Sequence, residues 1–282
     1  MVWSWRKRIG TVLLWTGIVL GGGVLDSRAG GLTIAPTRLV FEGKSRVATV
    51  HLSNRGETEA TYRILVRDKR MLETGQIVDI DVPTRDENPA SEAVRFSPRR
   101  VVLPPGGTQT VRVMLRNPSS GELGAGEHRT HLVFQSVPPA PEPGADEGVV
   151  ARAILETSIP VIIRRDNPAA ALAFSLAALD TVPDPAGRPV LNLTLERDGD
   201  RSVYGDLSVD WLHDGDRVPL ARLNGLGVYH PTPRRIMKIP LALAADAALD
   251  RGELQIVFQE TELGHGDLQA AVTVDLTPIA PE

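Results

Sequence analysis

The feature that most constrains this chain is a two-residue alternation of apolar and polar side chains, recurring in short runs that Gly, Pro and Asn interrupt. Val47 to Leu52 reads V-A-T-V-H-L, Ala60 to Val66 reads A-T-Y-R-I-L-V, and Val111 to Leu115 reads V-R-V-M-L. Alternation of this kind puts one face of a strand in a core and the other in water. Asn54-Arg55-Gly56, Pro104-Pro105-Gly106-Gly107 and Asn117 to Gly121 separate the runs as turns. Long runs of helical spacing are absent, so the chain reads as all-β.

The pattern restarts after Asp166-Asn167-Pro168, where proline cannot continue a ladder. Ala170 to Leu179, Val190 to Glu196, Leu207 to Leu212, Gly225 to Tyr229, Arg235 to Leu241, Gly252 to Phe258 and Leu268 to Val274 read as seven strands. Asp214-Gly215 supplies the positive φ of a hairpin tip. The expectation is two tandem immunoglobulin-like β-sandwiches, residues 30–165 and 166–282. Pro138 to Gly148 reads as a long loop between the strand His131 to Val137 and a strand Val149 to Ile163.

Residues 1–29 read as a secretory signal: Arg6, Lys7 and Arg8 precede an apolar run, and Ser27-Arg28-Ala29 offers the small residues that a signal peptidase reads. Cleavage after Ala29 removes four basic residues and Asp26, moving the formal charge from −4 to −7, which argues against nucleic acid as a partner. No later segment reads as a membrane span. The chain has no cysteine, so disulfides and thiol chemistry play no part.

Three stretches, in order, carry a resemblance. The first is Ile34-Ala35-Pro36-Thr37-Arg38-Leu39-Val40-Phe41-Glu42-Gly43. The second is Phe96-Ser97-Pro98 with Leu103-Pro104-Pro105-Gly106-Gly107-Thr108-Gln109-Thr110-Val111-Arg112. The third is Gly126-Glu127-His128-Arg129, leading to Val137-Pro138-Pro139 and then Leu155-Glu156-Thr157-Ser158-Ile159-Pro160-Val161-Ile162-Ile163-Arg164. Over Leu32 to Arg165 the chain resembles the periplasmic chaperones of the chaperone–usher pathway, in its divergent, archaic-like branch. The resemblance implies a periplasmic chaperone that caps pilus or surface-coat subunits by donor-strand complementation and passes them to an outer-membrane usher.

The resemblance also implies site residues. The donor strand would be Val149 to Thr157, with Val149, Ala151, Ala153 and Leu155 on one face. Each alanine forgoes roughly 1.5–3 kcal/mol of burial that a larger side chain supplies. Arg38 matches the arginine that holds the subunit's C-terminal carboxylate, a task suited to a planar guanidinium fork. Pro160 stands where the family's second cation, a lysine, would be. Proline there is expected to interrupt the strand, and Arg165 is one candidate replacement. Glu127 and Arg164 match an ionic contact that sets the angle between domains.

Other chemistry finds little support. There is no Gly-x-Ser-x-Gly elbow, so no enzyme is expected. His128 and His131 would face opposite sides of a strand, and Asp198, Asp200 and Asp206 lack the bidentate acid of a calcium loop, so neither metal nor cofactor is expected. The alternative reading is a secreted two-domain immunoglobulin-like interaction or adhesion module that is not a pilus chaperone.

Overall fold

The computed structural model describes residues 31–84, 86–117, 121–138, 153–180, 182–243, 249–261 and 268–276. The expected signal segment lies outside them, as do Val149 and Ala151 of the expected donor strand. In chain order the first half forms β1 (Leu32–Ala35), β2 (Leu39–Phe41), β3 (Val47–Asn54), β4 (Ala60–Arg67), β5 (Lys69–Met71), β6 (Ile77–Asp79), β7 (Val94–Ser97), β8 (Arg100–Leu103), β9 (Thr108–Leu115), β10 (Gly126–Val137) and β11 (Glu156–Arg165). The second half forms β12 (Ala170–Leu179), β13 (Val190–Gly199), β14 (Val203–His213), β15 (Asp216–Val228), β16 (Arg234–Pro240), β17 (Glu253–Glu260) and β18 (Gln269–Asp275).

The first sandwich pairs a sheet ordered β1-β3-β9-β7 with one ordered β2-β11-β10-β4-β8. Alternation explains the pairing: Val50 and Leu52 of β3 and Val111 and Val113 of β9 are buried, while Thr49, His51 and Arg112 between them are exposed. These buried residues meet Leu132, Phe134, Val161 and Ile163 of the facing sheet in one core. The turn Pro104 to Gly107 closes with Gly107 N–H donating to Pro104 O at 2.8 Å, and Gly106 takes the positive φ of 69° that the turn requires.

The second sandwich pairs β12-β13-β16 with β15-β14-β17-β18 around a core that includes Leu191, Leu193, Val209, Ile256 and Phe258. Asp214 and Gly215, at φ 50° and 87°, form the β14–β15 hairpin tip. The run Gly225 to Tyr229, read from sequence as its own strand, is the far end of the longer β15, whose register shifts twice against β14. The fold is all-β, with two tandem immunoglobulin-like sandwiches.

Two expectations about β11 need correction. The strand begins at Glu156 rather than Val149, because residues 153–155 have no regular strand geometry. Pro160 does not interrupt it: β11 runs through to Arg165 with Pro160 opposite His131. The parallel ladder from β11 to β2 covers only Val161 to Ile163. At Pro160, therefore, β11 is paired on one side, a position where a missing N–H is tolerated.

The β5–β6 hairpin leaves the first sandwich and reaches the second. Thr232 Oγ1 donates to Met71 O at 2.6 Å, and Ile236 N–H donates to Glu73 O at 2.8 Å. A cleft of about 580 Å3 lies beside this contact, lined by Glu73, Leu172, Glu196 and Arg234 among others. None of the site residues expected from sequence lines it.

Candidate functional site

β10 is buried along most of its length on both faces. One face, with Leu132 and Phe134, enters the core. The period-two rule puts Glu127, Arg129, His131 and Val133 on the other face, and the second sandwich meets that face at Glu127 and Arg129. An outward face that would normally be wet is thus a buried seam of charged groups.

Glu127, 2% exposed, ties both domains together. Arg164 Nε donates to its Oε2 at 3.1 Å, and Arg164 Nη1 donates to Glu42 Oε1 at 2.5 Å. Ser202, just before β14, donates both its backbone N–H, at 3.1 Å, and its hydroxyl to Glu127. Behind Ser202, Arg201 holds Glu260 through Nη1 at 2.6 Å and Nη2 at 3.2 Å. A buried carboxylate with this many donors has its desolvation offset.

Arg38 sits between β1 and β2 and is 4% exposed. The second domain encloses it. Its guanidinium carbon lies 3.6 Å from the Tyr204 ring centre, and Nη2 donates to the Tyr229 hydroxyl at 2.9 Å. Nε and Nη1 are buried without a hydrogen-bond partner.

On the far side of Tyr229 stands Arg129, 7% exposed, its guanidinium carbon 4.7 Å from the same ring. Nη2 donates to Lys69 O at 3.2 Å, while Nε and Nη1 are again unpartnered. Burial lowers its pKa; Glu127, Tyr229 and Glu87 act in the opposite direction, and Arg38 adds to the lowering. Next on this face, His131 is buried with Nδ1 unpartnered. Its pKa is pushed down to about 3, first by burial and then by Arg129 and Lys69. His128 instead engages Gly124 O at 2.9 Å, and no group of three His, Cys, Asp or Glu side chains gathers among the described residues.

The start of β11 has the opposite character. Ile154 and Leu155 are 59% and 42% exposed, and Ala153 is exposed beside them. Leu155 is held to the end of β10: Ser136 N–H donates to Leu155 O, and Leu155 N–H to Ser136 Oγ, both at 2.8 Å. Glu156 accepts from Arg67 Nη1 at 3.0 Å and Gln135 Nε2 at 2.7 Å. From Glu156 to Ile159 the side of β11 away from β10 has no ladder partner among the described residues.

In comparison with protein families, residues 31–169 match the pili and flagellar-assembly chaperones, through the PapD N-terminal domain. The first domain, residues 31–169, belongs to the pilus assembly chaperones. The reading of a non-chaperone adhesion module is thereby set aside. Solved structures similar to this chaperone include CupB2 of Pseudomonas aeruginosa, 15% identical with a TM-score of 0.44 over 86% of this chain and 100% of that one. The YadV chaperone is 14% identical, with a TM-score of 0.46 over 86% and 100%. A chain of the Salmonella enterica SafA pilin complex with the SafB chaperone is 15% identical, with a TM-score of 0.43 over 86% and 96%. No curated protein matches.

In this chaperone the structure gathers Arg38, Glu127 and Arg164 at the seam and sets Ala153 and Leu155 apart at the start of β11. Arg165 closes β11 opposite Gly126, five residues beyond Pro160 and about 16 Å along an extended strand. Sequence reasoning passed over Arg129, Tyr204 and Tyr229. One signal was available for the tyrosines: aromatic residues are only 4% of the chain, and two of its three Tyr stand within two residues of a glycine. A large ring with a polar tip, next to a residue without a side chain, suits a close contact between domains.

Proposed function

We propose that this chaperone works in the periplasm after removal of residues 1–29, and that its two domains span residues 30–165 and 166–282. It binds pilus or surface-coat subunits by lending them the leading edge of β11, then passes them to an outer-membrane usher. The observation that carries this reading is the open edge from Glu156 to Ile159, adjoining exposed Ala153, Ile154 and Leu155. An unpaired strand edge offers backbone donors and acceptors to an incomplete sheet, and apolar side chains at alternate positions fill its groove. Val149 and Ala151 would extend the row upstream.

Arg38 receives the subunit's C-terminal carboxylate in this reading, and its two unpartnered nitrogens support the assignment. Glu127 and Arg164 keep the domains at the angle that frames the site. No enzymatic step and no cofactor are involved. The test is affinity capture of the tagged chaperone from its native periplasm, wild type beside Leu155→Asp, with mass spectrometry of the partners. Small β-rich subunits should co-purify with wild type and be lost from the variant. Equal recovery from both would refute strand donation at this edge.

A further inference from the structure

The family's second cation is missing at Pro160, and the register of the sheet fixes which residues surround that position. Pro160 lies opposite His131 on β10, and Arg129 opposite Ile162. Residues directly opposed in a ladder share a face, and diagonal neighbours lie about 7–8 Å apart. Arg129 is therefore on the face of Pro160, one diagonal step away. On the other flank, Leu39 opposes Val161 in β2, which puts Arg38 next to Pro160. The position of the family's lysine is bracketed by two arginines.

Both arginines are more than nine-tenths buried, both turn towards Tyr229, and each leaves Nε and Nη1 without a partner. Buried polar groups are nearly always hydrogen-bonded, and a buried charge left partly unpaired marks a place where an anion would be stabilised. The two acids that act on Arg129 are already engaged, Glu127 by Arg164 and Ser202 and Glu87 by Arg70. The aromatic faces of Tyr204 and Tyr229 offer the guanidiniums cation–π contact but no oxygen acceptor for Nε or Nη1.

We propose that Arg129 is the second cation of the carboxylate site, supplying from β10 the charge that β11 lacks at Pro160. This rests on the reading that Arg38 binds a polypeptide's C-terminal carboxylate. In the free chaperone the Tyr229 hydroxyl holds the place of one carboxylate oxygen on Arg38. The cavity beside Arg129 is about 10 Å3, room for about one water. Carboxylate entry requires the Tyr229 side chain to swing away, leaving two guanidinium forks facing one ligand.

The test compares subunit capture from native periplasm by wild type, Arg38→Met and Arg129→Met, each checked for a native circular dichroism spectrum. Both variants should lose at least tenfold in captured subunit. Loss with Arg38→Met alone would overturn the role of Arg129 and leave the carboxylate reading standing. Full capture by both would overturn that reading as well. If Arg129→Met does not fold, acetate titration of the wild type takes its place. Nε–Hε signals of both arginines, assigned with Arg38→Lys and Arg129→Lys, should move together and saturate; movement of the Arg38 signal alone would overturn the proposal.

Discussion

The domain seam and the leading end of β11 invert the usual partition in opposite directions. At the seam Arg38, Glu127, Arg129, His131 and Arg164 are buried; at the start of β11, Ile154 and Leu155 are in solvent. Charged residues are rarely buried unless paired, and large apolar residues side by side on an open edge are an aggregation hazard. Each region thus accepts a cost, but of a different kind. The seam is held by internal bonds that a substitution will break, whereas the β11 edge has few bonds to lose and gains them only from a partner. Substitutions at the seam should therefore show up in stability, and substitutions at the edge in binding.

The largest effect should come from Glu127→Ala, which takes one of its carboxylate partners from buried Arg164 and removes both bonds from Ser202. Breaking one partner of a buried pair costs about 3–5 kcal/mol. Urea unfolding should show this loss, and a change below about 1 kcal/mol would mean that the seam is not what joins the domains.

His131 gives a smaller, pH-dependent effect. The folded state keeps it neutral down to about pH 3, while the unfolded chain takes up a proton below about 6.5. Between those values the unfolded state binds more protons, so stability present above pH 6.5 falls as pH drops, by up to ~1.4 kcal/mol per pH unit from this group. His131→Leu should flatten that slope in urea titrations between pH 6.5 and 4.5. An unchanged slope would show that His131 is solvated in the folded chain.

The Arg234–Glu73 pair also joins the domains, at 2.7 Å, but in solvent. Exposed pairs are screened and contribute little. Arg234→Ala should leave the urea midpoint within experimental error; a clear shift would extend the seam's behaviour to its rim. Smallest of all in stability should be Leu155→Asp, at a surface site where changes stay within about 0.5 kcal/mol, even though it abolishes capture. A large loss of stability there would erase the distinction between the two regions.

The contrast also explains what could be read from sequence. Strands such as β3, β9 and β17 were legible because each has one face in a core and one in water, and alternation encodes that directly. The seam was not, because Arg129 and His131 follow the same alternation as solvent-facing residues. What covers Arg129 is Tyr229 and the segment around it, and the Arg38–Tyr229 bond spans 191 residues of sequence. Local pattern carries no record of a contact that distant. Pro160 misled for the related reason that a proline's effect depends on which side of the strand is paired, and the pairing with β2 starts one residue later.

The most direct test is photocrosslinking in cells from position 155 beside position 176. Leu176 lies on β12 of the second sandwich and is similarly exposed, at 50%. A crosslinker at 155 should yield an adduct with a small exported β-rich subunit, and one at 176 none. An adduct from 176 but not from 155, or from neither in cells producing subunits, would contradict the account of β11 as the donor edge.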